Sequence, residues 1–153
     1  MFYYDYLASP LGLVEVTASE QGLVAVTFCD IPRQPVQAQR VAAEAKQQLI
    51  AYFAKELREF DLPLAATGTV FQQQVWQALT KVPYGKTASY GDIAKAINNP
   101  KGVRAVGLAN GKNPLGIVVP CHRIIGANGT LTGYAGGLDK KAWLLAHEGA
   151  AFR

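Results

Sequence analysis

SYGDIAKAINNPKGVRAVGLANG, residues 89–111, reads as two short helices joined by a tight turn. Ser89-Tyr90-Gly91-Asp92 opens the first, which ends near Asn98. Asn99 is expected to cap the second, with Pro100 at its first position, where a missing N–H costs nothing. Two such helices in sequence form a helix-turn-helix pattern. The second helix carries Arg104 among small residues: Ala105, Gly107, Ala109 and Gly111. Small residues let a helix backbone approach a groove closely, and one Arg among them can reach in. The same residues would equally serve close helix packing inside the protein.

The surroundings extend this reading. Thr69-Val70-Phe71-Gln72 is a capping-box pattern opening a helix with Phe71, Val75 and Leu79 on one face, and Pro83-Tyr84-Gly85 breaks that helix. The net charge of +4 is unevenly shared. Residues 1–68 carry five Lys and Arg against eight acids, whereas residues 69–153 carry ten against Asp92, Asp139 and Glu148 alone. A basic half nearly free of acids suits a polyanion, and neutralising phosphates supplies most non-specific DNA affinity. A solvated basic surface is the plainer alternative. The first half differs in kind. Residues 2–7, Leu13 to Ala18 and Leu23 to Phe28 read as strands, separated by turns at Ser9-Pro10-Leu11-Gly12 and Glu20-Gln21-Gly22. Ala38, Val41, Ala42, Ala45, Leu49, Tyr52 and Phe53 then recur at helical spacing, so a helix should lie across an antiparallel meander. Asp61 to Gly68 connects the halves.

Chemistry concentrates in Pro120-Cys121-His122-Arg123, framed by Ile117-Val118-Val119 and Ile124-Ile125. A thiol is a strong nucleophile only as thiolate, and neighbouring imidazole or guanidinium charge favours that form. A buried structural cysteine is the alternative, since free Cys is among the most buried residue types. Glu148, the last residue of an expected helix from Leu138 to Glu148 stopped by Gly149, sits where the helix dipole disfavours a carboxylate. A buried His needs a partner that fixes its tautomer, so Glu148 is the candidate partner of His122; an exposed helix-end Glu is the other reading. Cys29 ends a strand with no basic neighbour and reads as structural. No Cys-x-x-Cys or His-x-x-x-His spacing occurs, so no metal is expected. Two cysteines 92 positions apart, with no basic region or cleavage site among Met1 to Asp5, fit a reducing, cytoplasmic setting. No run approaches a membrane span.

The motifs together resemble the O6-alkylguanine-DNA alkyltransferases, also called methylated-DNA–protein-cysteine methyltransferases. The matching elements are Phe71-Gln72 with Val75-Trp76, Ser89-Tyr90, Arg104-Ala105-Val106-Gly107, Asn113-Pro114 and Val119-Pro120-Cys121-His122-Arg123-Ile124-Ile125. Gly133-Tyr134, Gly136-Gly137-Leu138, and Leu144-Leu145 with Glu148 complete the set. The resemblance implies an α+β protein. A small N-terminal ribonuclease-H-like α/β domain, residues 1–68, precedes a mostly helical, winged helix-turn-helix-like domain, residues 69–153, that carries the active site.

It also implies a DNA repair protein that acts once, as a monomer and without a cofactor, on double-stranded DNA carrying O6-alkylguanine, with O4-alkylthymine as a second adduct. The damaged nucleotide would be flipped into the pocket. Arg104 would fill the gap, with Tyr90, Ala105, Gly107 and Arg123 also at the DNA, and Tyr90 displacing the target phosphate. Cys121 would attack the alkyl carbon, its proton passing through a water to His122, which Glu148 orients. Tyr90 would also protonate the leaving guanine, and Asn113 would brace the turn behind the pocket. The carbonyls of Cys121 and Ile124, the N–H of Ala135 and the ring of Tyr134 would receive the base. Position 135 is Ala where several family members have Ser, and the first half lacks the cysteine and histidine ligands that some relatives use for zinc. A non-catalytic sensor of alkylated DNA and a cysteine hydrolase are the competing functions. The sensor branch replaces the reactive cysteine, which is present here, and a hydrolase has no use for a basic helix-turn-helix.

Overall fold

The computed structural model describes all 153 residues, Met1–Arg153. They divide into two compact units, Met1–Thr67 and Gly68–Arg153.

In the first unit, β1 (Tyr3–Ser9), β2 (Gly12–Ser19) and β3 (Gly22–Cys29) form an antiparallel meander in the order β1-β2-β3. Gly12 and Gly22 both sit at positive φ, the region that favours glycine in tight turns. Gly22 has a second reason: a Cβ there would lie 2.5 Å from the Pro63 carbonyl oxygen. That closeness lets the chain after Asp61 run alongside β3, with Leu23 N–H donating to Pro63 O and Ala65 N–H to Leu23 O, each at 2.7 Å. Helix α1 (Arg40–Phe53) buries Ala42, Ala45, Leu49 and Tyr52 of the apolar stripe read from the sequence; Val41 and Phe53 are only half-buried, and Ala38 lies before the helix and is exposed. Alternation along β2 suggests one buried face, yet Val14 through Ser19 are all buried. The second face is closed by a polar network: Tyr6 Oη donates to Glu15 Oε2 at 2.8 Å and accepts from the N–H groups of Arg33 and Gln34.

The second unit begins with α2 (Val70–Leu79), whose N-cap Thr69 forms the expected reciprocal capping box with Gln72. Short β4 (Ala88–Ser89) leads into α3 (Tyr90–Ala96), opened by a second capping box between Ser89 and Asp92. Helix α4 (Val103–Gly111) starts later than the sequence suggests, with Gly102 rather than Asn99 as N-cap. The ending of α3 explains the delay. Asn98 takes φ +60°, and the N–H groups of Asn98 and Asn99 turn back to the carbonyls of Lys95 and Ala94 in a Schellman closure. Asn99 is therefore spent on finishing α3, and its own carbonyl accepts from Gly102 in the following turn. Trp76 Nε1 donates to Ala109 O at 2.8 Å, tying α2 to α4. A 3₁₀ turn (Cys121–Arg123), β5 (Ile124–Ile125) and α5 (Leu138–Glu148) complete the unit. Strands β4 and β5 pair in parallel, Ala88 with Ile124 and Ser89 with Ile125. Two-residue strands carry no periodicity, so this pairing is invisible in the sequence. It sets the first residue of α3, Tyr90, beside the segment that follows Cys121.

No helix is long and apolar enough to cross a membrane.

Candidate active site

The segment leading to Cys121 is held by its own backbone and by one side chain. Asn113 Nδ2 donates to Val119 O at 2.9 Å and to Leu115 O at 3.4 Å, while its Oδ1 accepts from Leu115 N–H at 3.0 Å. One amide thus staples a tight loop whose Ile117 sits at φ +69°, a sparsely populated conformation for a β-branched residue. The chain then enters the 3₁₀ turn with Cys121 N–H bonded to Val119 O.

The site residues Cys121, His122, Arg123 and Glu148 are all buried. His122 Nε2 lies 2.7 Å from Glu148 Oε2, and neither side chain is exposed. An ionised carboxylate only accepts, so Nε2 carries the proton and donates. Nδ1 is then a bare acceptor, and it has no hydrogen-bond partner in the protein. Burial lowers the pKa of His122 below the ordinary imidazole value, although Glu148 pulls it upward. The ring is therefore neutral near pH 7, a base with a free lone pair. Burial likewise raises the pKa of the Cys121 thiol, opposed by hydrogen bonding from Asn113 and by the charge of Lys141. Neighbouring cations alone do not make this sulfur a thiolate at rest; desolvation wins, and the thiol needs a base.

Arg123 corrects the expectation of a DNA-facing residue. Its side chain is 7% exposed. Nε and Nη2 donate to Glu148 at 2.8 and 3.1 Å, and Nη1 donates to Val82 O at 2.7 Å. A guanidinium so committed cannot reach a phosphate; it neutralises the buried carboxylate that holds His122. The tetrapeptide showed a cation near sulfur but not which way it points.

Cys121 opens onto a cavity of about 400 Å³. Tyr90, Asn113, Tyr134 and Ala135 line it, as does Gly107, where a Cβ would lie 3.8 Å from the Tyr90 ring. Asn110, Gly111 and Gly133 complete the wall, none of which the sequence singled out for this role. Burial pushes the Tyr134 phenol far above its usual range. Ile124 is fully buried and does not line the cavity; its carbonyl accepts from Lys141 Nζ at 2.5 Å. Arg104 and Ala105 are exposed on α4, outside the cavity, about one turn before Gly107 and two turns before Gly111, which line it. No three His, Cys, Asp or Glu side chains converge as a metal site.

Many known proteins resemble this chain. Residues 70–150 match the model of the 6-O-methylguanine DNA methyltransferase DNA-binding domain, and residues 2–66 that family's ribonuclease-like domain. The Methanosarcina acetivorans methylated-DNA–protein-cysteine methyltransferase is 52% identical, the match covering 97% of this chain and 99% of that protein. The crystal structure of Mycobacterium tuberculosis O6-methylguanine methyltransferase is 45% identical with a TM-score of 0.87, covering 97% of this chain and 93% of the other. A second Mycobacterium tuberculosis structure, OGT in complex with DNA, is 46% identical with a TM-score of 0.87, covering 96% and 92%.

Proposed function

The chain belongs to the O6-methylguanine DNA methyltransferase family, and on that premise we propose that it repairs DNA by moving the alkyl group of O6-alkylguanine onto its own Cys121. The observation that carries this reading is the bare Nδ1 of a neutral His122, locked by Glu148, in the same turn as a buried thiol that faces a base-sized cavity. His122 takes the thiol proton through one water, and Glu148 stabilises the imidazolium that forms. The thiolate displaces guanine from the alkyl carbon. Tyr90, on the cavity wall, protonates the departing ring, and the Ala135 N–H donates to O6. A thioether has no ready route back to thiol, so each molecule acts once.

DNA is bound by the helix-turn-helix α3–α4, a reading supported by the relative solved in complex with DNA. Lys95, Lys101 and Lys112 are exposed along α3, α4 and their connections, where phosphates would be met. The nucleotide flips past Gly107 and Gly111, and Arg104 fills the space it leaves. The substrate is duplex DNA, O4-alkylthymine is a second adduct, the protein works as a monomer, and its place is the cytoplasm.

The test is intact-protein mass spectrometry after mixing with O6-methylguanine duplex. A stable gain of one methyl group per chain, mapped to Cys121, is expected. Tight binding with no mass change selects a sensor; an unlabelled protein that turns over esters or amides selects a hydrolase.

A further inference from the structure

One buried cation stands outside the scheme above. Lys141 is fully buried in α5, and its ammonium donates to Ile124 O at 2.5 Å and Thr132 O at 3.1 Å, with Thr132 Oγ1 and Gly133 O each at 3.4 Å. Thr132 Oγ1 in turn lies 2.5 Å from Tyr90 Oη. Three polar groups thus form a chain of contacts from a buried lysine to the cavity wall: ammonium, hydroxyl, phenol. Either oxygen of the Thr132–Tyr90 pair can donate, and the cation breaks the tie. An ammonium has protons only to give, and its charge turns the oxygen end of the Thr132 hydroxyl toward itself and the hydrogen end away. The hydrogen then points at Tyr90.

We propose that Thr132 is a positioning residue for alkyl transfer: oriented by Lys141, its hydroxyl donates to the Tyr90 oxygen and thereby aims the Tyr90 proton into the cavity at the departing guanine. This rests on the alkyl-transfer reading. The step balances without a further reagent. Sulfur forms a bond to the alkyl carbon, the carbon–O6 bond breaks with its electron pair on guanine, and a guanine ring nitrogen takes the Tyr90 proton. The phenol oxygen keeps its pair, and the Thr132 O–H bond to it strengthens as negative charge arrives, so the contact favours the transition state over the ground state. The positive charge left on His122 balances the negative charge left on the Tyr90 oxygen. Because the protein acts once, Tyr90 need not recover its proton within a cycle. Burial depresses Lys141 only to about 8, so the cation is present at neutral pH.

Single-turnover transfer from a methylated duplex at pH 7 tests this in the wild-type chain, Thr132→Val, Thr132→Ser, Tyr90→Phe and the Thr132→Val/Tyr90→Phe double variant, each checked by thermal unfolding. Thr132→Val keeps the shape and removes the hydroxyl; it is expected to slow transfer about tenfold, the scale of one hydrogen bond to a developing charge. Thr132→Ser restores the rate to within about threefold of wild type, because the donor is back. In the Tyr90→Phe background Thr132→Val has no further effect, since it acts only through the phenol. An equal slowing by Thr132→Val with and without Tyr90 assigns Thr132 to the fold and overturns the proposal, as does a wild-type rate for Thr132→Val or a Thr132→Ser no faster than it. A wild-type chain that transfers nothing overturns the alkyl-transfer reading itself, a result distinct from each of these.

Discussion

Each unit holds one cysteine, one buried glutamate and one buried tyrosine or histidine partner, and the two sets behave differently. In the first unit Glu15 receives the Tyr6 hydroxyl and faces Arg33, whose side chain is 63% exposed. Cys29 lies half-buried at the end of β3, and burial together with the charge of Glu15 raises its pKa. In the second unit Glu148 also pairs with an arginine, but Arg123 is buried with it, and the carboxylate additionally fixes a histidine that has one ring nitrogen to spare. The first arrangement satisfies every partner and closes a sheet face. The second leaves one lone pair unsatisfied beside a thiol. Burying a polar atom without a partner costs roughly 1–3 kcal/mol, so it persists where something is gained by it. The contrast separates a saturated polar network from one with a lone pair to spare, the proposed reactive site, more sharply than residue types do.

The largest test of that contrast exchanges the cysteines. Cys121→Ser is expected to abolish transfer while leaving affinity for duplex DNA nearly intact, because affinity comes from phosphate contacts and base flipping. Cys29→Ser should transfer at the wild-type rate. A methyl group found on Cys29, or transfer by Cys121→Ser, breaks the comparison. Next in size is the glutamate. Glu148→Gln weakens the bond that keeps His122 basic and should slow single-turnover transfer by ~10²–10⁴-fold, the usual contribution of a positioned base. A rate within about threefold of wild type at neutral pH would dismantle the Cys–water–His–Glu relay.

Arg104→Ala sharpens the picture by separating DNA handling from chemistry. It should slow repair of duplex DNA by roughly ten- to a hundredfold, at about 1.4 kcal/mol per factor of ten, yet leave reaction with free O6-alkylguanine base unchanged. Equal slowing on both substrates would return Arg104 to the fold. The smallest effect is on stability. His122 has a pKa below its unfolded value of 6.5, so below that pH the unfolded chain binds more protons than the folded one. Stability is then lost as the pH falls through 6.5 and continues to fall toward the folded value. Denaturant unfolding of the wild type and of His122→Phe between pH 7.5 and 5.5 measures it: the wild type should lose more stability across that range than the variant. Parallel curves would show that His122 does not stay neutral in the folded state.

Much of this was legible because the patterns are local. Capping residues at Thr69 and Ser89 announce their helices, and α1 shows its apolar stripe directly. The pairing of His122 with Glu148 was recognisable, from a histidine next to a cysteine and from a charge at the wrong end of a helix. The direction of a side chain was not. Arg123 follows His122 in sequence but turns inward to Glu148 and Val82, a fact set by tertiary contacts. Lys141 and Thr132 also escaped notice, although a signal for the lysine existed. Lys141, Leu144, Leu145 and Glu148 follow the i, i+3, i+4, i+7 spacing of one helical face, and they are the buried residues of α5. A lysine sharing a stripe with two leucines and the expected partner of His122 was a candidate for burial. Thr132 carried no signal, since its contact with Tyr90 depends on β4 meeting β5 and bringing Tyr90 across.

Ile117 gives the site a schedule. A buried β-branched residue at φ +69° holds of order 1–3 kcal/mol of backbone strain and keeps that shape only while its surroundings insist on it. In a nascent or partly opened chain the segment relaxes to ordinary extended backbone, and the Glu148 that fixes the His122 ring lies 26 residues away with nothing to hold it near. Before folding is complete, Cys121 is one more cysteine with an ordinary thiol. Its reactivity arrives as a property of the finished unit, which suits a reagent that each molecule can spend only once.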